Sequence, residues 1–325
     1  MQSFRTIVHP ASPSYSINHS NQLLSIGSCF SENIGKKFEH AKFNISINPF
    51  GQQYNPYSIA QSIERLISNQ PYTENELTFH NELYHSYDHH SSFSAPTVQD
   101  TLQKINERLL TDSQTIKTTD YLFLTFGTAY CFSLKESGRI VSNCHKMPGT
   151  TFNRQLLEPT EIFDCSSNAL QKLFALNNRL KVILTVSPVR YFAFGEFENS
   201  VGKSHLFTAI HKLLSSFSNL HYFPAYELLI DDLRDYRFYA EDMVHPNQLA
   251  TTYVWSKLID TYFSPDTKAL LKEIEEITAA ANHRPRNAQS DAHKKFAQKY
   301  LQKIQTIENK HNLRFEAERT LLTAN

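Results

Sequence analysis

Short apolar runs recur along the chain at Leu23–Ile26, Phe43–Ile47, Tyr121–Phe126, Val182–Ser187 and Leu220–Phe223. Each has the length of a buried strand. Between them lie stretches with helical spacing, at Ser58–Ser68, Gln99–Leu110, Ser204–Phe217 and Asn247–Phe263, and a further helix opens at Glu32–Phe38. Short apolar strands alternating with amphipathic helices predict an α/β fold, a parallel sheet with helices on its faces. Residues 1–20 are polar and rich in Pro and Ser, which predicts a surface arm. Residues 70–98 break the rhythm with a Tyr/His-rich insertion, and an insertion of that length points to function. Within it His85 and His89 stand four apart; a metal pair and a pair of hydrogen-bonded surface histidines are the two readings, and nothing else marks a helix there.

After Pro265 the pattern becomes helical throughout. Asp266–Ala281 predicts one helix and Asp291–Lys310 a second, with Phe296, Tyr300, Ile304 and Ile307 on one face and Asp291 as a cap. This divides the chain into a domain over residues 1–265 and a helical extension over 266–325. The extension reads as a helix packed on a partner or on a second copy, or as a basic arm for nucleic acid. No internal repeat is visible.

Composition narrows the function. Over 325 residues, 32 basic and 32 acidic side chains cancel, which removes the global field that nucleic-acid and anionic-membrane binders use. No apolar run approaches the ~20 residues of a membrane span. The start, Met1-Gln2-Ser3-Phe4-Arg5-Thr6, is not followed by the apolar core of a secretory signal, so a cytoplasmic protein is expected. Cys29, Cys131, Cys144 and Cys165 are then expected as free thiols, and none stands in a C-x-x-C pair. The phosphate-binding, dinucleotide-binding, zinc-protease and G-x-S-x-G motifs are absent, and no cofactor or metal is expected.

Two short motifs carry the chemistry. Gly27-Ser28-Cys29-Phe30-Ser31 follows the first strand and opens the first helix. That is the carboxyl end of a strand, where open sheets bind ligands, and a helix N-terminus, where free N–H groups favour negative charge. Ser28 and Cys29 are both candidate nucleophiles. Far along the chain, Asp242-Met243-Val244-His245-Pro246 precedes the last sheet-flanking helix. Asp242 could orient His245 as a general base, with Pro246 in the first helical turn, or could simply cap the loop. Arg190 follows the fourth strand, and with Lys146 it suits an anionic group or salt bridges to acidic side chains. His145 and Cys144 stand beside Lys146. His90, in the Tyr-rich insertion, is a candidate for an aromatic lid over a sugar.

In this order the two motifs resemble the SGNH (GDSL-type) hydrolase superfamily, and the first looks like its GSCFA branch, with Ser31 in place of the final Ala. The resemblance includes Asn48-Pro49-Phe50-Gly51, Tyr54-Asn55-Pro56, Thr125-Phe126-Gly127-Thr128-Ala129, Asn143-Cys144-His145-Lys146 and Ser187-Pro188-Val189-Arg190, and covers residues 20–263. It implies a three-layer α/β/α sandwich of flavodoxin-like topology. It implies a nucleophile after strand one, an Asp-x-x-His pair, and an oxyanion hole of the nucleophile's N–H, a Gly after strand two and an Asn after strand three. Carried over, Gly51 matches the Gly, and Asp242 and His245 match the acid and base. Ala129 stands two residues after Gly127 where Asn is wanted, so Asn143 and Asn55 become candidate substitute donors, with bracing of their loops as the other reading. The superfamily register puts Cys29 at the nucleophile position; a slip of one residue would restore Ser28. A depressed thiol pKa is expected at this helix N-terminus. The resemblance implies a bacterial acyl ester hydrolase or O-acyltransferase acting on a carbohydrate or cell-envelope precursor. The rival is a non-catalytic protein that keeps the fold and binds a ligand in its cleft.

Overall fold

The structure, a computed structural model, describes residues 4–287 and 289–324. The first three residues of the predicted arm lie outside the described residues. The chain runs through β1 (Gln22–Gly27), α1 (Cys29–His40), β2 (Asn44–Ile47), α2 (Pro56–Ser68), the hairpin β3 (Leu77–His80) and β4 (Leu83–Ser86), and α3 (Val98–Thr118). It continues through β5 (Tyr121–Phe126), β6 (Tyr130–Leu134), β7 (Ile140–Val141), β8 (Phe152–Leu156), α4 (Pro159–Leu176), β9 (Lys181–Val186), α5 (Glu196–Ser216) and β10 (Leu220–Tyr222). It ends with α6 (Ala225–Glu227), which runs into a wider helical turn at Leu228–Leu233, then α7 (Gln248–Tyr262), α8 (Pro265–Ala281), α9 (Asp291–His311) and α10 (Glu316–Ala324).

The central sheet has the order β10-β9-β5-β1-β2, and every pairing in it is parallel. Numbered among sheet strands alone, that is the flavodoxin-like order 2-1-3-4-5. The five strands are the five apolar runs of the sequence. Their side chains alternate with a period of two between the sheet's faces. Leu24, Ile26, Leu122, Leu124, Val182 and Leu184 pack with α2, α3, α4 and α5. Leu23, Tyr121, Phe123 and Ile183 pack with α1, α6 and α7. The fold is the expected α/β sandwich. The direction of the chain reverses between β1 and β5, so their carboxyl ends flank the switch point.

The predicted arm is tied down at its end. Ile17 is fully buried, its N–H donates to the Tyr262 carbonyl at 2.7 Å, and Tyr121 donates its hydroxyl to Ser16 O. The insertion at 70–98 holds the β3–β4 hairpin. Its histidines are engaged: His85 contacts Ser94 Oγ and the His80 carbonyl, and His89 contacts Ser86 Oγ among Phe50, Tyr72 and Phe93. The C-terminal helices form their own core of Leu270, Ile274, Ile277, Ile304, Ile307, Phe315 and Leu322. Ile304 and Ile307, offered by the sequence to a partner, are thus covered within the chain, and Lys42 joins the extension to the sheet domain through Glu318 at 2.8 Å. Among the described residues no helix is long and apolar enough to cross a membrane.

Phe38 of α1 is fully buried and its ring meets Phe43, Phe123, Trp255 and Phe263. Phe38→Ala should lower unfolding free energy by ~3–5 kcal/mol, read from urea denaturation. Burial also brings His89 down to about 3 and His145 to about 4, from an ordinary 6.5. Both stay neutral in the fold while the unfolded chain's histidines take protons below that value. The unfolded state therefore binds more protons in that window, and stability should fall as the pH drops from 6.5 towards 4. A His89→Phe variant should show a smaller acid loss in the same urea titration.

Candidate active site

β1 ends at Gly27, whose φ of +154° lies where side chains rarely go. A Cβ there would stand 2.5 Å from the Thr125 carbonyl oxygen of β5. The Gly27 N–H donates to Asn48 Oδ1 (3.0 Å) and its carbonyl accepts from Gln53 N–H (2.9 Å), which fixes the loop after β2 against the end of β1. Ser28 is the N-cap of α1, yet its side chain makes no capping bond. Its Oγ is buried without a partner. The first intrahelical bond runs from Glu32 N–H to Ser28 O, so the N–H groups of Cys29, Phe30 and Ser31 have no backbone acceptor in the described structure.

Cys29 is the first residue of α1 and is partly exposed. The structure corrects the expectation of a depressed thiol. Burial pushes the Cys29 thiol up from its ordinary value, outweighing the Phe30 and Cys29 N–H groups and the Lys203 ammonium that pull it down.

Asp242 and His245 meet as their spacing allows. Asp242 Oδ2 lies 2.7 Å from His245 Nδ1, and Oδ1 accepts from the N–H groups of Val244 and His245 at 2.9 Å each. Met243 makes the curl possible in a left-handed conformation, φ 57°. The His245 and Val244 N–H groups, with the imidazole, bring the Asp242 carboxyl down to about 2. Asp242 therefore stays ionised and holds Nδ1 as the donor, leaving Nε2 as the basic nitrogen. Pro246 does not enter the helix: Asn247 caps α7 with a bond from Ala250 N–H, and Pro246 bridges to Tyr239 before it.

A cavity of about 380 Å³ opens at the switch point. It brings together Ser28, Cys29, Asn55, Gly127, Asn143, Cys144 and His245. Tyr54, Tyr130, Phe132, Tyr191 and Phe194 give it aromatic walls, which the sequence reading missed. Asn55 is committed to α2, accepting from Ser58 N–H and donating to Ser58 Oγ. Asn143 uses only Oδ1, which accepts from His145 N–H.

Asp242, behind His245, and five other candidates stand outside the cavity lining. Gly51 sits in the turn after β2 with its N–H already donated to Asn48 O, and a Cβ on it would strike His90. Its N–H is therefore not free as an oxyanion donor. His90 caps a short turn through Ser92. His145 is buried, stacked on His85 and bonded to the Ser86 carbonyl. Lys146 lies in the same loop and is exposed. Arg190 lies over Phe192 at 4.8 Å, with Nε buried and unpartnered, and it too is outside the lining.

The residue most plainly missed is Lys203. It is 4 % exposed, and Nζ donates to the carbonyls of Gly127 and Ser187 at 2.7 Å each. A signal was available: Lys203 falls on the face of α5 shared with Asn199, Leu206 and Ile210, where a lysine breaks the apolar pattern.

No curated protein matches the chain. Among solved structures, a mutant acetyl esterase with an acetate ion is similar at 10 % identity and a TM-score of 0.35, over 79 % of this chain and 99 % of that one. An acetyl xylan esterase from the rumen bacterium Butyrivibrio proteoclasticus is similar at 11 % identity and a TM-score of 0.37, over 76 % of this chain and 64 % of that one. The motif resemblance stops at residue 263, whereas the C-terminal domain of GSCFA domain proteins matches residues 274–325 and so takes in the last helices. The GSCFA family itself matches residues 22–258, across the sheet, the Cys29 turn and the Asp242–His245 loop: the chain belongs to the GSCFA family.

Proposed function

We propose that this protein is an acyl ester hydrolase or O-acyltransferase that works through a covalent thioester on Cys29. The observation that carries the reading is the single cavity holding Cys29, Ser28 and an Asp242-oriented His245 at the sheet's switch point. Cys29 Sγ attacks the acyl carbonyl and its proton passes to His245 Nε2. The carbonyl oxygen gains the negative charge, and the N–H groups at the start of α1, which have no backbone acceptor, suit it, with Asn143 Nδ2 as a side-chain donor. Collapse expels the alcohol, which takes the proton from Nε2, and leaves the thioester. Water or a second hydroxyl then attacks with Nε2 as base and restores the thiol. Cys29 is favoured over Ser28 because Cys29 is partly exposed at the start of α1, whereas Ser28 is 1 % exposed. The aromatic walls suit a sugar ring or an acyl chain, which supports a carbohydrate or envelope-precursor substrate. Four free thiols fit a bacterial cytoplasm.

Activated esters such as nitrophenyl acetate, with mass-spectrometric mapping of the acylated peptide, test the nucleophile. Acylation should map to Cys29, and Cys29→Ala should lose ~10³-fold or more in kcat/KM while Ser28→Ala keeps most of it. Full activity in Cys29→Ala would reject the assignment. His245→Ala should lose ~10²- to 10⁴-fold. Since burial pushes the thiol up, kcat/KM should keep rising with pH through and beyond the ordinary thiol range, with no loss traceable to Asp242 until about pH 2.

A further inference from the structure

A second cleft, of about 450 Å³, shares Ser142 with the candidate catalytic cavity. Its size falls within the roughly 300–1,000 Å³ of small-molecule sites, but its lining is not the usual apolar one. The side chains that α2, α4, the loop after β4 and the β6–β7 hairpin present to it are polar, apart from Ile67 and the Tyr72 ring. That ring is covered by the Arg65 guanidinium at 3.8 Å. The charges of the lining cancel in pairs: Arg65 with Glu76, Arg139 with Asp88 at 2.6 Å, and Lys172 with Glu64 at 2.6 Å. Asp88 is fixed further by the Tyr72 hydroxyl, which donates to it at 3.1 Å. Two buried groups of the lining are not met in this way. Gln53 is 1 % exposed; its Nε2 donates to Ser62 Oγ and to the Asp88 carbonyl, and its Oε1 has no partner among the described residues. Ser142 Oγ is buried and likewise without a partner among them. A buried polar atom left unpaired is costly, and in the wall of a cleft it is one that a ligand can satisfy.

We propose that this cleft binds a neutral, hydroxyl-rich ligand: a saccharide unit whose hydroxyls donate to Gln53 Oε1, exchange a hydrogen bond with Ser142 Oγ and meet the ion pairs around them. A hydroxyl both donates and accepts, so one ligand can serve the amide oxygen, the serine, the guanidinium groups and the carboxylates of a single lining. An anion would face the three carboxylates, and a cation the three basic groups. The ion pairs and the Tyr72 hydroxyl hold these groups in place before the ligand arrives, which lowers the ordering that binding requires. The cleft is also tied to the catalytic turn. The Gln53 N–H donates to the Gly27 carbonyl at 2.9 Å, two residues before Cys29. With the first cavity read as the site of ester chemistry on a carbohydrate, the shared Ser142 makes the cleft a subsite for a further unit of the same glycan. That role rests on the ester reading; the binding of a saccharide does not.

The test is isothermal titration calorimetry of the full chain with three neutral trisaccharides, maltotriose, xylotriose and tri-N-acetylchitotriose, and with inorganic phosphate. At least one trisaccharide should bind with a Kd of about 1 mM or tighter, and phosphate should neither bind nor compete. Ser142→Ala removes a hydroxyl that has no partner to lose in the fold, and should weaken the binding about three- to tenfold. Ser68→Trp, at the exposed end of α2, places an indole in the cleft and should abolish the binding heat. Should Ser68→Trp fail to fold by circular dichroism, Lys172→Trp on α4 blocks the same cleft from an exposed position. No heat with any of the three sugars overturns the proposal, as does binding of phosphate in their place. Unchanged affinity in Ser142→Ala or in the tryptophan variant overturns it too, since the sugar would then be held elsewhere. These titrations need no turnover. A failure of the ester reading shows in nitrophenyl acetate hydrolysis by Cys29→Ala, and a failure of the cleft shows only in the binding heats.

Discussion

At the ends of β1 and β5 the two backbones run so close that a single methyl group would not fit between them. The Thr125 carbonyl stands 2.5 Å from where a Gly27 Cβ would be, and the Thr125 side chain 2.8 Å away. That approach lets α1 begin one residue beyond the strand, with Ser28 as cap and Cys29 as its first turn. It also brings the Gly27 carbonyl to Gln53 N–H, and the Tyr54 carbonyl to the N–H groups of Gly127 and Thr128. Three loops from three strands are thereby knitted by backbone bonds, which no side-chain substitution removes. Gly127 is held by the same logic, since a Cβ there would meet the Tyr54 carbonyl at 3.0 Å.

Electrostatics at this junction are divided between two environments. The thiol lies in a partly buried pocket where desolvation outweighs the helix N–H groups that favour the thiolate. The Asp242–His245 pair lies in the open, both side chains about half exposed, and its order comes from backbone donors rather than from burial. An exposed pair gains little stability from its charges. Its geometry is therefore better understood as orienting a ring than as holding the fold together.

How legible each element was in the sequence depends on how it is stabilised. The five central strands lie between two layers of helices, so each appears as an apolar run. Helices whose buried faces carry polar groups were truncated. α3 continues past Leu110 because Asp112 is satisfied by Arg108 and Ser46, and α5 starts eight residues early because Asn199, Gly202 and Lys203 occupy its buried face. The β3–β4 hairpin and the β7-β6-β8 sheet escaped because neither has a continuous apolar run, and α4 was passed over although Glu158 and Glu161 cap it around Pro159. At the site, the residues in local motifs were legible. Lys203 and the aromatic walls were not, because they come from elements whose relation to Cys29 exists only in three dimensions.

The small β7-β6-β8 sheet also accounts for the departure at position 129. Where the superfamily pattern wants Asn, the chain is already entering β6. Ala129 is fully buried, and its carbonyl accepts from Leu157 N–H just beyond β8. An amide there would have to be packed into the core that includes Leu157 and Cys131. Strand β6 turns Tyr130 and Phe132 to the cavity instead, and the loop after β7 returns with Asn143 at its rim. Asn143 Oδ1 is fixed by the His145 N–H, and His145 is fixed by Ser86 and the His85 ring. The Tyr/His-rich insertion thus acts on the cavity indirectly: its His85 ring and Ser86 carbonyl hold the loop that presents an amide where the strand-three position presents only a methyl group.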